Sequence, residues 1–228
     1  AAGKPRAPRE KSGKGKASNA DWQSPTDPDA KITKMKDGRT HLAHKVEHAV
    51  DLDSGAIVAV TVQAANQGDT TTFVQTLNTV CESMEKLQED PQTADDVCEQ
   101  RCPEVVMDKG GHSDAVLKEL ADREVRSYIA EPDRPKRGGK VQRRRWAGKG
   151  EAGQQAQADL YANRRRVRSS RGKRLLRQRG ELVERSFAHS LDSGGMRRSH
   201  LRGRENIRKR MLVHVGGFNL GLVMRQAF

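Results

Sequence analysis

The chain has 228 residues, of which 34% are hydrophobic and only 4% aromatic. This composition supplies one core built from Val, Leu, Ile and Ala, and it excludes a core that extends through every segment. No apolar run approaches the roughly 20 residues of a membrane span, and the N-terminus lacks the apolar segment of a secretory signal. We therefore expect a cytoplasmic protein with one compact domain.

The net charge of +13 is unevenly distributed along the chain. Residues 25–133 hold 22 acidic and 11 basic residues, whereas residues 134–185 hold 18 basic and 4 acidic residues. An acidic body followed by a basic band predicts a polyanionic partner held beside a carboxylate-rich site. The alternative is a solvated surface without a partner, but the separation of the two signs argues against it.

Two features of composition set the outline of the chain. Residues 1–24 are rich in Gly, Pro, Ala, Ser and Lys, which predicts a disordered basic arm or linker before a domain over residues 25–228. Three cysteines, Cys81, Cys98 and Cys102, are too few for a disulfide framework and lack a second ligand pair at zinc spacing. We expect them to be free thiols.

The first predicted elements form a hairpin. HLAHKVEHAVD and AIVAVTVQA read as two strands joined by the turn LDSG. A third strand is expected at residues 31–36 or just after Ala64. Residues 70–88 place Phe73, Leu77 and Val80 on one helical face, with Asp69 available as the N-cap.

The second half is predicted to alternate. The strand Val105–Met107, a helix capped by Ser113, and the strand VRSYIA are spaced as a βαβ unit with parallel strands. A basic insertion is expected over residues 134–170. Helices are expected over residues 151–190, which overlap the insertion, and over residues 203–226. The order of elements predicts the α/β class, with a mixed sheet that has helices on both faces.

Three acidic residues are notable for their positions. Asp51 and Asp108 each end an apolar strand, and Glu184 lies beside Val183 on a helix that should pack on the sheet. Carboxylates on separate elements suit Mg²⁺ better than zinc. Two such ions about 3.5–4 Å apart stabilise the attacking and leaving oxygens of a phosphoryl displacement.

Each of these signals has a structural alternative. Asp51 can serve the LDSG turn, in which Asp53 is the rival carboxylate, and Asp108 can be a loop acid before a helix. Glu184 can be a surface ion-pair partner, and Glu181 competes for the same role.

Three long blocks resemble the catalytic blocks of bacterial insertion-sequence transposases with a DDE domain. They are KVEHAVDLDSGAIVAVTVQAANQGDT, VVMDKGGHSD and RGELVERSFAHSLDSGGMRRSHLRGRENIRKR, and the resemblance covers roughly residues 26–228 in the same order. It implies a ribonuclease H-like fold with Asp51, Asp108 and Glu184 as the catalytic and metal-binding triad. It also implies Mg²⁺ (or Mn²⁺) as cofactor and DNA cleavage and strand transfer without a covalent protein–DNA intermediate.

The chain departs from the family pattern at three places. Gly111 stands where the family usually has an aromatic residue, and Gly180 and Leu191 replace the Arg and Lys of one branch's signature. We also expect the amino-terminal DNA-recognition domain of such enzymes to lie outside this sequence. The resemblance implies a bacterial, nucleoid-associated protein that is a homo-oligomer when active on DNA.

The basic residues give the expected DNA contacts, both to transposon ends and to target. Two arginine clusters and one lysine are the candidates: Arg143, Arg144, Arg145, Arg164, Arg165, Arg166 and Lys109. The leading hypothesis is thus a metal-dependent DNA transposase. The alternative is a non-catalytic basic nucleic-acid-binding protein or a degenerate transposase remnant, which does not need its three acids to converge.

Overall fold

A computed structural model of the chain describes residues 19, 22–35, 38–97, 102–132 and 150–227. It has mixed α/β architecture, as the sequence predicts. Nearly all of the predicted basic arm, residues 1–24, lies outside the described residues. The same is true of residues 133–149 of the predicted insertion and of Cys98.

An antiparallel sheet comes first. Strands β1 (Lys31–Lys34), β2 (Thr40–Val50) and β3 (Ile57–Ala64) pair in that order. This confirms the predicted hairpin and places the third strand at 31–34. A register shift between Ala49 and Val50 marks a bulge at the end of β2, directly before Asp51.

The antiparallel sheet has a helix on each face. Helix α1 (Asp69–Glu89) packs on β3 from one side, where the Thr61 and Thr76 hydroxyls hydrogen-bond at 2.8 Å. The last helix, Arg204–Ala227, covers the other side and is named α5 below. It closes a core that joins strand and helix residues: Ile57, Val60, Val62, Ile207, Met211 and Val215. Because both of its faces are covered, every residue of β3 except Val58 is buried, including the polar Thr61 and Gln63.

The βαβ unit forms a second sheet. Strands β4 (Glu104–Met107) and β5 (Arg126–Ile129) pair in parallel, and α2 (Asp114–Asp122) connects them. The Ser113 hydroxyl caps α2 by accepting from the Val116 N–H at 3.1 Å, as predicted. The predicted cap of α1 is wrong by one residue, because Gly68 holds the N-cap position and Asp69 begins the helix.

Two helices follow the undescribed stretch. Helix α3 (Gly150–Arg168) contacts α2 and β5, and it contributes Leu160 to a core with Phe73, Leu117 and Ile129. Helix α4 (Ser170–Phe187) contacts both β2 and β4, and it continues into a π-helical turn at Ala188–Ser193. The residues that the structure describes therefore form two sheets bridged by α4, rather than the single mixed sheet that we predicted.

Candidate active site

A cavity of about 1040 Å³ is lined by β2 and β4, the two strands whose ends carry acidic residues. Residues of α1 and α4 complete its wall. Asp51 and Asp108 both line this cavity, whereas Glu184 is not among the lining residues. The structure thus brings two of the three predicted acids to one cavity and places the third elsewhere.

Asp51 closes the turn between β2 and β3. Its Oδ2 accepts hydrogen bonds from the Ser54 backbone N–H (2.8 Å) and from the Ser54 hydroxyl (2.5 Å). Gly55 completes the turn with φ +75°, in the left-handed region that glycine adopts without steric cost. The Gln178 amide donates to the Leu52 carbonyl, so the turn is held against α4. Within the described residues Oδ1 of Asp51 accepts no hydrogen bond, so this oxygen is available to coordinate a cation.

Asp108 lies directly after β4 and begins a tight turn. Its Oδ1 accepts the Gly110 N–H at 2.9 Å, and its Oδ2 is 3.4 Å from Nη2 of Arg179 on α4. The Asp108 side chain is 55% exposed and the Arg179 side chain 27% exposed. Asp108 is therefore an accessible carboxylate, and Arg179 is its one cationic partner among the described residues.

The turn after Asp108 is built around glycine. A β-carbon at Gly110 would collide with the Asp69 carboxylate and lie 3.1 Å from Oδ1 of Asp108. A β-carbon at Gly111 would collide with the Met107 side chain. The departure from the family's aromatic residue at Gly111 therefore matches a buried position where a side chain would displace the end of the Met107 side chain.

A lysine network fixes the acid that packs against this turn. Lys45 Nζ lies 2.5 Å from Oδ1 of Asp69 and 2.8 Å from Oε1 of Glu47. Burial disfavours the charged amine, but hydrogen bonds to Asp69 and Glu47 outweigh burial and raise the pKa of Lys45 above its ordinary value. Glu47 also accepts from the Thr72 and Thr76 hydroxyls. This network ties β2, α1 and the Asp108 turn together.

Glu184 is exposed on α4 and lies away from the cavity. It is five residues beyond Arg179, which is a rotation of roughly 140° around the helix axis. The neighbouring Glu181 is exposed as well and pairs with Arg185 one turn later. Because Arg179 lies on the cavity side of α4, Glu184 lies toward the opposite side.

The three acids do not form a metal site in this arrangement. Across the described ranges, no three His, Cys, Asp or Glu side chains are grouped so that they could hold a metal ion. Oδ2 of Asp51 is engaged by Ser54 and Oδ2 of Asp108 by Arg179. The two aspartates have the oxygen chemistry that Mg²⁺ prefers, but their protein partners occupy part of each carboxylate.

Comparison with protein families is decisive for the class of protein. The family described as transposase DDE domain matches residues 17–220, which is most of the chain. The chain belongs to the transposase DDE-domain family. This confirms the resemblance seen in the three sequence blocks and links the chain to transposition.

Comparison with individual proteins adds nothing further. No curated protein and no solved structure matches this transposase domain significantly. Among the described residues, no helix is both long and apolar enough to cross a membrane.

Two of the predicted DNA-binding arginines make internal contacts in the transposase domain. Arg164 pairs through both nitrogens with Glu131, one contact being 2.8 Å, and hydrogen bonding from Arg164 lowers the pKa of Glu131. Arg166 donates to the Ser127 carbonyl and hydroxyl, each at 2.8 Å. Arg165 and Lys109 are exposed, whereas Arg143, Arg144 and Arg145 lie outside the described residues.

Three residues around the site were not predicted from the sequence to belong to it. Arg179, Lys45 and Asp69 all line the cavity, and none was assigned a part in the site. Arg179 had a sequence signal, because it lies within the apolar face of α4 between Leu175 and Val183. A cation at helical spacing within an apolar stripe faces an acid or a cavity when it is not at the surface. Lys45 and Asp69 had no such signal, since their partners are set by strand–helix packing.

Proposed function

We propose that this transposase domain catalyses metal-dependent DNA strand cleavage and strand transfer, with Asp51 and Asp108 as its essential acids. The observation that carries the proposal is that both carboxylates line one cavity, each directly after a separate strand. Membership of the transposase DDE-domain family and the basic band over residues 134–185 support the same reaction. Phosphoryl transfer needs acidic residues that hold a cation close to DNA phosphate.

Mg²⁺, or Mn²⁺ in its place, is the cofactor that we propose. Asp51 can offer such a cation its Oδ1 while Ser54 keeps Oδ2, whereas Oδ2 of Asp108 binds the cation only after it exchanges Arg179 for it. Glu184 stays our predicted third acid, and it requires a rearrangement of α4 to reach the cavity. We also propose that the domain is ribonuclease H-like in bringing the ends of β2 and β4 to one cavity, although the two strands lie in separate sheets among the described residues.

DNA would be held mainly by exposed cations on α3 and α4 that do not line the cavity themselves. The exposed cationic residues on these two helices that make no side-chain hydrogen bond or ion pair within the described chain are Arg165, Arg168, Lys173, Arg174 and Arg177. We propose that these residues, with Lys109 and the undescribed Arg143, Arg144 and Arg145, contact phosphates without reading sequence. The homo-oligomer on DNA and the association with the nucleoid are proposals that follow from this function.

The salt dependence of DNA binding tests the proposed surface. Each phosphate that Lys or Arg neutralises contributes a slope of about −0.9 to log K against log salt on duplex DNA. Replacing Lys173, Arg174 and Arg177 with Gln should flatten the slope by up to about 3 and weaken binding to all sequences alike. The control replaces Arg208, Lys209 and Arg210 on α5, which are equally exposed but lie on a helix that does not line the cavity. A slope that falls only in the control would move the DNA surface to α5.

The proposed chemistry is tested by nicking of labelled plasmid DNA with and without Mg²⁺. Asp51→Asn and Asp108→Asn each remove a negative ligand, and each should reduce cleavage by about 100-fold or more. The matched control is Asp53→Asn in the same turn, which should cut like the parent. Glu184→Gln and Glu181→Gln compare the two glutamates, and only the first should reduce cleavage. If Asp51→Asn or Asp108→Asn cuts as fast as the parent, the assignment is wrong.

A second candidate function is DNA binding without catalysis. The position of Glu184 on the side of α4 away from the cavity favours it. This function predicts salt-sensitive DNA binding by the parent, but no nicking with any divalent cation. The same plasmid assay separates the two functions when DNA binding is measured alongside nicking in every sample. Binding with nicking supports catalysis, and binding without nicking supports the second function.

A further inference from the structure

The cavity wall carries four cationic side chains, and each contacts an acid. Lys45 pairs with Glu47 and Asp69, while Arg126 and Arg171 pair with Glu104. Those acids have no predicted role in the chemistry. Arg179 differs from the other three cations, because its partner is Asp108, one of the two acids of the proposed site.

The Arg179 contact is built loosely. One nitrogen lies 3.4 Å from one oxygen of a carboxylate that is more than half exposed. Arg164, on the preceding helix, instead engages both oxygens of Glu131 with two nitrogens. A guanidinium that only needed to anchor a helix would gain most from the two-nitrogen geometry. The single long contact leaves the other nitrogens of Arg179 available to an incoming group.

Arg179 also lines a second cavity of about 420 Å³, together with Asp108, Lys109, Gly110, Ala130 and Leu176. Two cationic residues and one acidic residue therefore line this smaller cavity. The planar guanidinium matches phosphate oxygens in the same two-point geometry that it uses for carboxylates.

We infer that Arg179 is a built-in counter-ion of Asp108, which competes with a divalent cation for the carboxylate and contacts a DNA phosphate once released. The inference rests on the proposed function. Its physical basis is that an exposed carboxylate beside other acids is stabilised by one nearby cation, whether that cation is a guanidinium or a metal ion. Binding of a divalent cation and pairing with Arg179 therefore oppose each other, and the effect is reciprocal.

Calorimetric titration of the purified chain with Mn²⁺ tests the competition without any DNA or turnover. Arg179→Gln keeps a polar but shorter side chain and removes its charge, and it should bind Mn²⁺ about 1.5- to two-fold tighter than the parent. Arg171→Gln is the matched control, since it removes a cation from the same helix and cavity but from a different acid, and its affinity should equal that of the parent. Adding Asp108→Asn should abolish the gain. Equal or weaker Mn²⁺ binding by Arg179→Gln overturns the counter-ion role.

Duplex DNA binding in Mn²⁺ tests the released state. Arg179→Gln should bind more weakly, with a salt slope reduced by about one phosphate contact, whereas Arg179→Lys should retain most of the slope. An unchanged slope overturns the phosphate contact. If Arg179→Gln leaves the Mn²⁺ affinity unaltered while cleavage still requires Asp51 and Asp108, only the role of Arg179 is rejected. Cleavage that needs neither acid rejects the proposed function itself.

Discussion

The two arginine–carboxylate pairs on adjacent helices serve different regions of the molecule. Arg164 of α3 holds Glu131 just after β5, and both side chains are at most about one-third exposed. Arg179 of α4 meets Asp108 just after β4, by one long contact to a carboxylate open to solvent. The strands are parallel neighbours, so the pairs lie at the same edge of one small sheet.

The surroundings of the two pairs explain the difference. Around β5, helix α3 supplies partners for both backbone groups of Ile129. The fully buried Asn163 side chain accepts from the Ile129 N–H (3.0 Å) and donates to the Ile129 carbonyl (2.9 Å). Arg166 adds two bonds to Ser127. Around β4 the acid keeps open sides and one exchangeable partner. Helix α3 therefore anchors β5 through these contacts, whereas the carboxylates after β2 and β4 keep oxygen atoms that can bind a ligand.

The largest expected effect breaks the support. Asn163→Leu leaves the Ile129 N–H and carbonyl buried without partners, and it should cost about 2–5 kcal/mol of unfolding free energy. Asn219 offers a matched control, since it makes the same two bonds to Ile57 but is only partly buried. Asn219→Leu should cost about half as much, because water replaces part of what is lost. Urea unfolding measures both, and equal losses would contradict the contrast in burial.

A pH-dependent effect sharpens the view of how α4 is held. His48 of β2 stacks on Phe187 of α4 with ring centroids 4.3 Å apart, and burial lowers its pKa from 6.5 to about 4. The unfolded chain takes up this proton first, so stability is full above pH 6.5 and falls as the pH drops toward 4. Between pH 7 and pH 5 the loss should be about 2 kcal/mol.

Substitution assigns that loss to one residue. His48→Gln should flatten the pH dependence in urea unfolding, whereas His41→Gln, at an exposed position of the same strand, should leave it unchanged. NMR titration of the His48 ring should show a midpoint near 4. A midpoint near 6.5 would show that the ring is solvated.

A smaller effect separates the two arginine pairs directly. A double-mutant cycle with Arg164→Met and Glu131→Gln should give a coupling energy of about 1 kcal/mol. The same cycle with Arg179→Met and Asp108→Asn should give about 0.3 kcal/mol or less, because the contact is long and exposed. Similar coupling energies in the two cycles would remove the distinction between anchor and exchangeable pair.

The smallest expected effect is on the stability of the site variants. Asp51→Asn and Asp108→Asn should change the unfolding free energy by no more than about 0.5 kcal/mol. The amide oxygen that Asp51→Asn introduces can still accept from the Ser54 N–H, and Asp108 is exposed. The fold should therefore survive substitutions that abolish cleavage. Loss of more than about 2 kcal/mol would make these aspartates structural residues.

Much of the fold could be predicted because its signals are local. The hairpin, α1, the βαβ unit and the last helix follow from apolar periodicity and turn residues, and each appears close to its expected bounds. The single mixed sheet was wrong for the described residues, since strand pairing between distant segments has no local signal. The placement of β1 also needed the structure, because its short run KITK is only weakly apolar.

The candidate site was predictable only in part. Asp51 and Asp108 were singled out because each follows an apolar strand, and both line one cavity; their role stays a prediction. Glu184 was chosen from the blocks, but the side of a helix that faces a cavity depends on how the helix is rotated in its packing. On α4 the apolar face includes Leu175 and Val183, which turns Arg179 toward the cavity and Glu184 outward.

The sequence by itself determined the family, the order of elements and the two strand-end acids, because blocks, periodicity and turns are written in neighbouring residues. Only the tertiary structure decided that Asp108 pairs with Arg179 and which arginines make internal contacts. Arg179 and Glu131 gain their partners across 71 and 33 residues of chain, whereas the contact of Asp51 with Ser54 spans three residues and belongs to the local turn. A guanidinium selects its partner by distance and geometry, and both are fixed only when helices pack on sheets.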